Sequence, residues 1–165
     1  MYGHCLVKLN TTHALLTGGY SSSGGYLSSS YLYSEHSGFV KQADMTHARR
    51  YHGCALHSDG LVFVTGGYGS SGGMKTTEYF SLSTLTWLPG PDLPVSKYAG
   101  KMLAVDGKTF FIGGARNKKI FQLESLAELS TTAWRRWVEV GELHTERYHF
   151  DVVKMDEEDC KKWNN

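Results

Sequence analysis

The sequence of 165 residues contains only three prolines and three cysteines, and it has almost no net charge. Its 17 basic and 16 acidic residues leave a charge of +1, which creates no field that would gather nucleic acid or an anionic membrane. No apolar run approaches the roughly 18 residues of a membrane span, and the N-terminus lacks the basic and apolar regions of a signal peptide. We therefore expect no nucleic acid partner, no membrane contact and a cytoplasmic location.

An apolar run that ends in two glycines occurs three times. The pairs are Gly18–Gly19, Gly66–Gly67 and Gly113–Gly114. They lie 48 and 47 residues apart, a period typical of a solenoid, propeller or array. Asp-Gly turns before the second and third runs predict β-hairpins, because type I′ turns need residues that tolerate positive φ. Two further short runs of strand character follow in the second unit, which predicts four strands per unit.

The last strand of each unit carries a large aromatic residue, and a basic residue followed by tyrosine comes after it. The aromatic residues are Phe39, Trp87 and Trp137. The basic residues are Arg50, Lys97 and Arg147. Together with the double glycines, these features resemble the kelch repeat, and the resemblance covers nearly the whole chain.

The resemblance implies an all-β fold, a kelch-type β-propeller in an incomplete ring of about three four-stranded antiparallel blades plus a partial fourth. The units span residues 3–50, 53–97, 100–147 and, in part, 150–155, followed by a charged tail at 156–165. We expect the first glycine of each pair to let backbone approach backbone and the second to permit positive φ. The three aromatic residues of the fourth strands are expected to fill the wedge between blades. Unit three extends its last turn to hold residues 127–133 and Trp134.

Both ends of the chain interrupt the repeat at its seam, since Tyr2 aligns with Tyr51 and no second strand follows 150–155. We therefore expect part of a larger ring: a fragment, an incomplete gene product or a half-propeller that completes the ring by self-association. Three blades alone would expose two apolar faces.

Cys5 and Cys54 align in the first strands of successive units. We interpret both as small core residues rather than a functional pair, because free cysteine is among the most buried residue types. An odd number of cysteines without metal spacing fits a reducing compartment, and Cys160 lies in the charged tail.

The basic residue of each unit has two interpretations. Arg50, Lys97 and Arg147 either tie the blade-to-blade connections structurally or, as the resemblance implies, project onto one face that captures acidic peptide segments. Guanidinium groups suit carboxylate recognition because they offer a rigid bidentate fork. The further candidates for that face are Arg49, Arg116, Tyr20 and Tyr68.

Other motifs point to no chemistry. The stretch 67–72 matches G-x-G-x-x-G, but a strand and not a helix is predicted to follow it, so we expect no nucleotide site. The eight histidines show no metal-ligand spacing, and no catalytic set or cofactor is predicted. Asn10-Thr11-Thr12 fits a glycosylation sequon but, without a secretory signal, is more simply a hairpin turn.

We therefore predict a non-catalytic protein-interaction module that binds a partner polypeptide through its loop face. Many kelch proteins that the chain resembles are substrate receptors of ubiquitin ligases or cytoskeletal adaptors. Their adaptor domains lie outside the propeller, and nothing in this sequence corresponds to one. The alternatives are a kelch-type enzyme that acts on sugars, such as an oxidase or mutarotase, and a truncated non-functional copy.

Overall fold

A computed structural model describes residues 1–125, 135–152 and 154. The described residues contain strands and no helix, so none of their segments is a helix that could cross a membrane. The predicted residues 127–133, Trp134, Cys160 and the tail at 156–165 lie outside the described part of the chain.

Blade 1 is a four-stranded antiparallel sheet with a short two-stranded ribbon in the loop between its second and third strands. Its strands are β1 (Cys5–Lys8), β2 (His13–Thr17), the ribbon strands β3 (Tyr20–Ser21) and β4 (Gly25–Tyr26), β5 (Ser30–Ser34) and β6 (Gly38–Lys41).

Blade 2 repeats this plan, ribbon included. Its strands are β7 (Gly53–Leu56), β8 (Leu61–Thr65), the ribbon strands β9 (Tyr68–Gly69) and β10 (Gly72–Gly73), β11 (Thr77–Ser81) and β12 (Thr86–Pro89). Blade 3 has no ribbon among its described residues. It consists of β13 (Lys101–Val105), β14 (Lys108–Ile112), β15 (Lys119–Ser125) and β16 (Arg135–Glu142).

The strands of each blade follow one another in chain order across the sheet, and all pairs are antiparallel. The first strand β7 contacts both β1 and β13, so the first strands lie side by side and the blades pack face to face. The predicted all-β blade architecture is confirmed. The described blades form no closed ring.

Two apolar cores fill the spaces between the blades. The core between blades 1 and 2 includes Leu15, Val64 and Phe80, and the core between blades 2 and 3 includes Phe63 and Phe111. All five side chains are almost fully buried. The faces of neighbouring blades, rather than the interior of any one blade, therefore carry the burial that stabilises the chain.

The two fourth-strand tryptophans lie at these interfaces. Trp137 is buried and donates its Nε1–H to the Thr77 hydroxyl of blade 2. Trp87 donates to the Ala43 carbonyl at the end of blade 1, over 3.0 Å. Phe39 lies on the face of blade 1 that points away from blade 2 and is 57% exposed.

The double glycines turn the chain at points where the next blade approaches closely. Gly66 and Gly67 have φ values of 66° and 104°, both in the left-handed region. A Cβ on Gly66 would meet the Lys97 carbonyl oxygen, and one on Gly67 would lie 2.9 Å from the Arg50 carbonyl oxygen. Glycine is required here for two reasons, because a side chain would be strained and would also clash.

A ladder of backbone hydrogen bonds joins the blades just before their first strands. Tyr51 N–H donates to the Gly3 carbonyl, Ala99 N–H to the Tyr51 carbonyl and His149 N–H to the Ala99 carbonyl. The three donor residues have positive φ values of 53–57° although none is glycine. Each blade is thus held to the preceding one by the same backbone geometry.

The ladder establishes the true repeat register. Counting back two residues from each donor gives Arg49, Lys97 and Arg147 as equivalent basic residues. The prediction that Arg50 is equivalent to Lys97 is therefore wrong by one residue. The error arose because Arg49 and Arg50 are adjacent and either one fits the basic position of the repeat. For the same reason Tyr2 is equivalent to Arg50 and not to Tyr51.

The segment predicted as the strand of a partial fourth blade is not a strand at its described residues, Phe150, Asp151, Val152 and Lys154. A strand needs a neighbour to satisfy its backbone groups, and no described residue pairs with this segment. Residues 153 and 155 lie outside the described part.

Candidate functional site

Arg49 is fully buried between blades 1 and 2. Its Nη1 donates to the carbonyls of Gly66 and Thr76, each at 2.8 Å, and its Nη2 donates to Glu78 Oε1 at 2.7 Å. These acceptors lie at the two ends of the loop between β8 and β11 and on β11, the third strand of blade 2. Arg49 is a structural clamp, and its assignment to a partner-binding face is wrong because the side chain has no access to solvent.

Glu78 is the buried counter-charge of this clamp. Burial alone would raise its pKa, but hydrogen bonds from the Thr46 and His47 amides and the charge of Arg49 outweigh burial and hold the pKa below its usual range. Burial lowers the pKa of Arg49, and Glu78 opposes that effect. The carboxylate therefore joins the end of blade 1 to blade 2 in its charged form.

Lys97 performs the same task between blades 2 and 3. Its Nζ donates to the carbonyls of Gly113 and Lys119, and it lies 4.8 Å from the Phe121 ring centroid. The side chain is fully buried, so its assignment to the partner-binding face is also wrong. Burial lowers its pKa to about 8, and the charge of Glu139 opposes this effect only in part.

Arg50 has a different environment, made of tyrosine rings. Its guanidinium carbon lies 5.0–5.7 Å from the centroids of five rings: Tyr2, Tyr20, Tyr26, Tyr51 and Tyr68. These distances are within the range of cation–π attraction. We call Arg50 with these five residues the tyrosine cluster.

The fold brings the cluster together from two blades. Tyr20 and Tyr26 face each other across the ribbon of blade 1, with ring centroids 5.2 Å apart. Tyr68 begins the ribbon of blade 2 and forms a β-bridge with Arg50, as Tyr20 does with Tyr2. The loops that follow the double glycines therefore place aromatic rings around the connection between the blades.

Arg50 retains hydrogen-bonding capacity inside the cluster. Its Nη1 donates to the Tyr2 hydroxyl at 2.7 Å, whereas its Nε is buried and has no hydrogen-bond partner among the described residues. It forms no ion pair with any residue that the structure describes. The cluster thus presents a cation without a carboxylate, on a surface where Tyr2 is 47% exposed.

Aromatic rings extend the surface in two directions. The Tyr68 and Tyr98 rings pack edge to face, with centroids 5.2 Å apart. Tyr98 is the residue of the next blade-to-blade connection that is equivalent to Arg50. The Tyr51 and His149 rings meet edge to face at 4.7 Å. The cluster therefore continues across the connections of blades 2 and 3.

Arg116 and Arg147 do not join the cluster. Both side chains are exposed and neither makes a hydrogen bond or ion pair with a described residue. Arg116 follows the third double glycine with a positive φ of 58°. Of the predicted face, the structure brings together Arg50, Tyr20 and Tyr68.

A cavity of about 270 Å³ lies where successive connections enter their first strands, lined in part by Gly3, Tyr51, Gly100 and Phe150. His52 also lines it. No group of three or more histidine, cysteine or acidic side chains among the described residues is arranged to hold a metal ion.

His52 is 5% exposed, and its Nε2 is 2.9 Å from the Thr17 hydroxyl of blade 1. Burial, followed by the charges of Arg49 and His4, lowers its pKa to about 3, so the imidazole is neutral at physiological pH. Its Nδ1 has no partner among the described residues. His52 therefore forms a polar contact between blades 1 and 2 in its neutral form, because its buried site disfavours a charged imidazole.

Cys5 and Cys54 form a disulfide that joins blade 1 to blade 2, with Cα atoms 6.2 Å apart. The interpretation as unpaired core residues in equivalent places is therefore wrong. Cys5 is opposite Thr17, whereas the residue opposite the equivalent Thr65 is Gly53, so Cys54 lies one position farther along its strand. Because successive side chains point to opposite faces of a sheet, Cys5 and Cys54 face each other across the interface.

Comparison with known families agrees with this architecture. Residues 49–94 match the family model of the kelch motif, a span that contains the Arg49 clamp and all four main strands of blade 2. This segment of the chain therefore carries a kelch motif. The sheets on either side have the same strand order and the same double glycine, which is consistent with kelch blades. No curated protein matches the sequence. Kelch domains generally bind protein partners.

Sequence reasoning missed Tyr2, Tyr26 and Tyr51 as members of the cluster. Tyr2 and Tyr51 served only to align the repeats. Tyr26 lies in a loop rich in glycine and serine. Their one sequence signal is the concentration of tyrosine beside the double glycines and the connections. The convergence itself depends on the ribbon folding back over Arg50.

Proposed function

We propose that the chain is a non-catalytic interaction module whose tyrosine cluster binds an acidic segment of a partner polypeptide. The observation that carries the proposal is Arg50, a cation that no carboxylate of the described residues pairs, at the centre of a tyrosine-lined surface. A carboxylate would accept hydrogen bonds from the guanidinium, and the surrounding rings would cover the contact and exclude water. Tyrosine and arginine are enriched among the residues that dominate binding energy at protein interfaces.

The burial of Arg49 and Lys97 removes both residues from the proposed binding surface. Arg49 and Lys97 donate their hydrogen bonds to backbone carbonyls of the next blade. They therefore hold neighbouring blades together and do not contact the partner. The proposed face therefore relies on one arginine and its rings. Arg116 and Arg147 are exposed cations that we place outside the contact.

The test uses a displayed library of random peptides selected on the purified chain. We expect the enriched peptides to carry Asp or Glu, and we expect Arg50→Gln to weaken binding of the best peptide by at least about 30-fold, the equivalent of about 2 kcal/mol. Tyr68→Ala is expected to weaken it to a similar degree. Binding is measured by titration calorimetry with the synthetic peptide.

Arg116→Gln is the matched control, because it removes the same charge from an exposed site outside the cluster. It is expected to change affinity less than threefold. Thermal unfolding of Arg50→Gln verifies that the variant is folded. Failure to enrich any peptide, enrichment without acidic residues, or equal effects of the two arginine variants would contradict the proposal.

The non-catalytic part of the proposal has its own test. Elemental analysis of the purified chain is expected to find no stoichiometric copper or iron, and a panel of sugars and sugar acids is expected to show neither oxidation nor mutarotation. Turnover of any member of the panel at a rate proportional to protein concentration would favour the alternative, a kelch-type enzyme acting on sugars.

We further propose that a second copy of the chain covers the free face of blade 1. Leu6, Tyr33 and Phe39 lie on this face, and they are 57%, 37% and 57% exposed. Light scattering is expected to give the mass of a dimer, and Phe39→Glu is expected to lower it. Val95→Glu, at an exposed site on a connection, is the control. A monodisperse monomer would overturn this part.

Substrate recognition for a ubiquitin ligase and cytoskeletal adaptation are two uses that such a surface would serve. Both stay predictions from the family resemblance. They require a cytoplasmic location, which stays a prediction from the sequence and is the alternative to the secretory location proposed below.

A further inference from the structure

The turn between β1 and β2 holds Asn10 in a well-defined conformation. Its side-chain carbonyl accepts hydrogen bonds from the Thr12 amide at 2.8 Å, the His13 amide at 2.8 Å and the Thr12 hydroxyl at 3.1 Å. The side-chain nitrogen Nδ2 donates to no described residue. Asn10-Thr11-Thr12 is the sole sequon in the sequence, and all three of its residues are exposed.

The position of the turn leaves room for a bulky attachment. β1 runs away from the connection at Gly3, so Asn10 lies at the opposite end of blade 1 from the tyrosine cluster. The distance is roughly 20 Å, from about 3.3 Å per residue of extended chain. A glycan at Asn10 would extend into solvent without covering the cluster, and the inference does not depend on the proposed function.

The disulfide between Cys5 and Cys54 is an independent observation that concerns the same question. Disulfides form and persist in oxidising compartments and are rare in reducing ones. The expectation of a reducing compartment rested on an odd number of cysteines without metal spacing, and it did not include the pairing of Cys5 with Cys54. An exposed sequon and an interblade disulfide are both typical of a chain that folds in the secretory pathway.

We propose that Asn10 is an N-glycosylation site and that the chain acquires both its glycan and its disulfide in an oxidising secretory compartment. The glycan donor is a lipid pyrophosphate-linked oligosaccharide. Asn10 Nδ2 forms a bond to C1 of the first sugar, the bond between C1 and the pyrophosphate oxygen breaks, and the amide loses one proton. The disulfide forms by exchange with a disulfide oxidant, which is reduced to two thiols while Cys5 and Cys54 lose two electrons and two protons.

The experiment uses the protein isolated from the cells that make it. Free thiols are blocked, peptide N-glycosidase is applied in ¹⁸O-labelled water, and tryptic peptides are analysed by mass spectrometry. We expect the peptide Leu9–Lys41 to carry ¹⁸O-labelled aspartate at position 10. We also expect the peptides Met1–Lys8 and Tyr51–Lys75 to appear joined and to separate on reduction. Recovery of Leu9–Lys41 with unmodified asparagine, or of blocked free thiols at Cys5 and Cys54, would overturn the proposal.

Two variants test the role of the turn in cells that secrete the chain. Thr12→Ala removes the hydroxyl of the sequon and is expected to abolish the mobility shift caused by peptide N-glycosidase. Thr11→Ala changes the middle position, which the sequon does not restrict, and is expected to keep the shift in full. A shift that persists in Thr12→Ala, or that is lost in Thr11→Ala, would place the glycan elsewhere and contradict the assignment.

Discussion

Arg49 and Lys97 hold equivalent carbonyl oxygens, those of Gly66 and Gly113, each at 2.8 Å. The two side chains join their blades by different contacts: the arginine has a buried carboxylate partner, whereas the lysine donates to carbonyls and lies over aromatic rings. The two interblade interfaces should therefore respond differently to substitution and to pH.

Removing the carboxylate should destabilise the first interface strongly. Glu78→Gln leaves Arg49 as a buried cation without a counter-charge, and we expect a loss of about 3–5 kcal/mol in the free energy of unfolding. Arg49→Met should cost a comparable amount, and the double variant should cost clearly less than the sum. Urea unfolding measures all three values. Lys75→Met, which breaks an exposed ion pair with Asp92, is the control and should cost under about 1 kcal/mol. Additive costs would contradict a coupled pair.

The second interface should gain stability in mild alkali. Between about pH 8 and 10.5 the folded state holds Lys97 neutral while the unfolded state still binds its proton. The unfolded state then binds more protons, so the contribution of Lys97 to the unfolding free energy rises with pH, at most by about 1.4 kcal/mol per unit. Lys97→Met should lose this rise relative to the parent, and Lys108→Met, at an exposed site of the same blade, should keep it. Parallel pH profiles for Lys97→Met and the parent would refute this prediction.

His52 should make the chain sensitive to acid. Its pKa of about 3 lies below the ordinary value of 6.5, so between these values the unfolded state binds the extra proton. The stability contributed by neutral His52 is complete above pH 6.5 and is lost as the pH falls, at up to about 1.4 kcal/mol per unit. His52→Gln, which retains an amide to meet Thr17, should flatten the profile over this window. His36→Gln, at an exposed site, should not flatten it, and an unchanged profile in His52→Gln would refute the prediction.

The need for glycine at the double glycine can be tested by comparing Gly66 with Gly60, which also has a positive φ but has no close neighbour. Gly66 and Gly60 have φ values of 66° and 82°, but a Cβ on Gly60 would meet no atom within 4 Å. Gly60→Ala should therefore cost only the strain of positive φ, about 1–2 kcal/mol. Gly66→Ala adds a clash with the Lys97 carbonyl and should cost several kcal/mol more. Equal losses on thermal unfolding would show that close approach is unimportant at Gly66.

The period of the double glycines was enough to predict three blades, because glycine is required at every such approach and the pattern recurs at each one. It was not enough to choose between Arg49 and Arg50. Adjacent arginines give the same sequence signal, and which one is buried is known only from the structure, where Arg49 is fully buried and Tyr51 has a positive φ.

The partners of these side chains depend on contacts that are distant in sequence. Glu78 reaches Arg49 from the third strand of the next blade, and its surroundings in the sequence are those of any exposed strand carboxylate. The pairing of Cys5 with Cys54 depends on a displacement of one residue between two first strands. The repeat period varies by one or two residues between units. It therefore does not determine which face of the sheet a given cysteine side chain points to.

The backbone ladder from Gly3 through Tyr51 and Ala99 to His149 has a direction. Every step has its N–H on the later residue and its carbonyl on the earlier one, so each blade presents a donor toward one neighbour and an acceptor toward the other. A blade turned over relative to its neighbour would set donor against donor or acceptor against acceptor. The arrangement therefore has polarity, and each added blade must have the same orientation as the one before it.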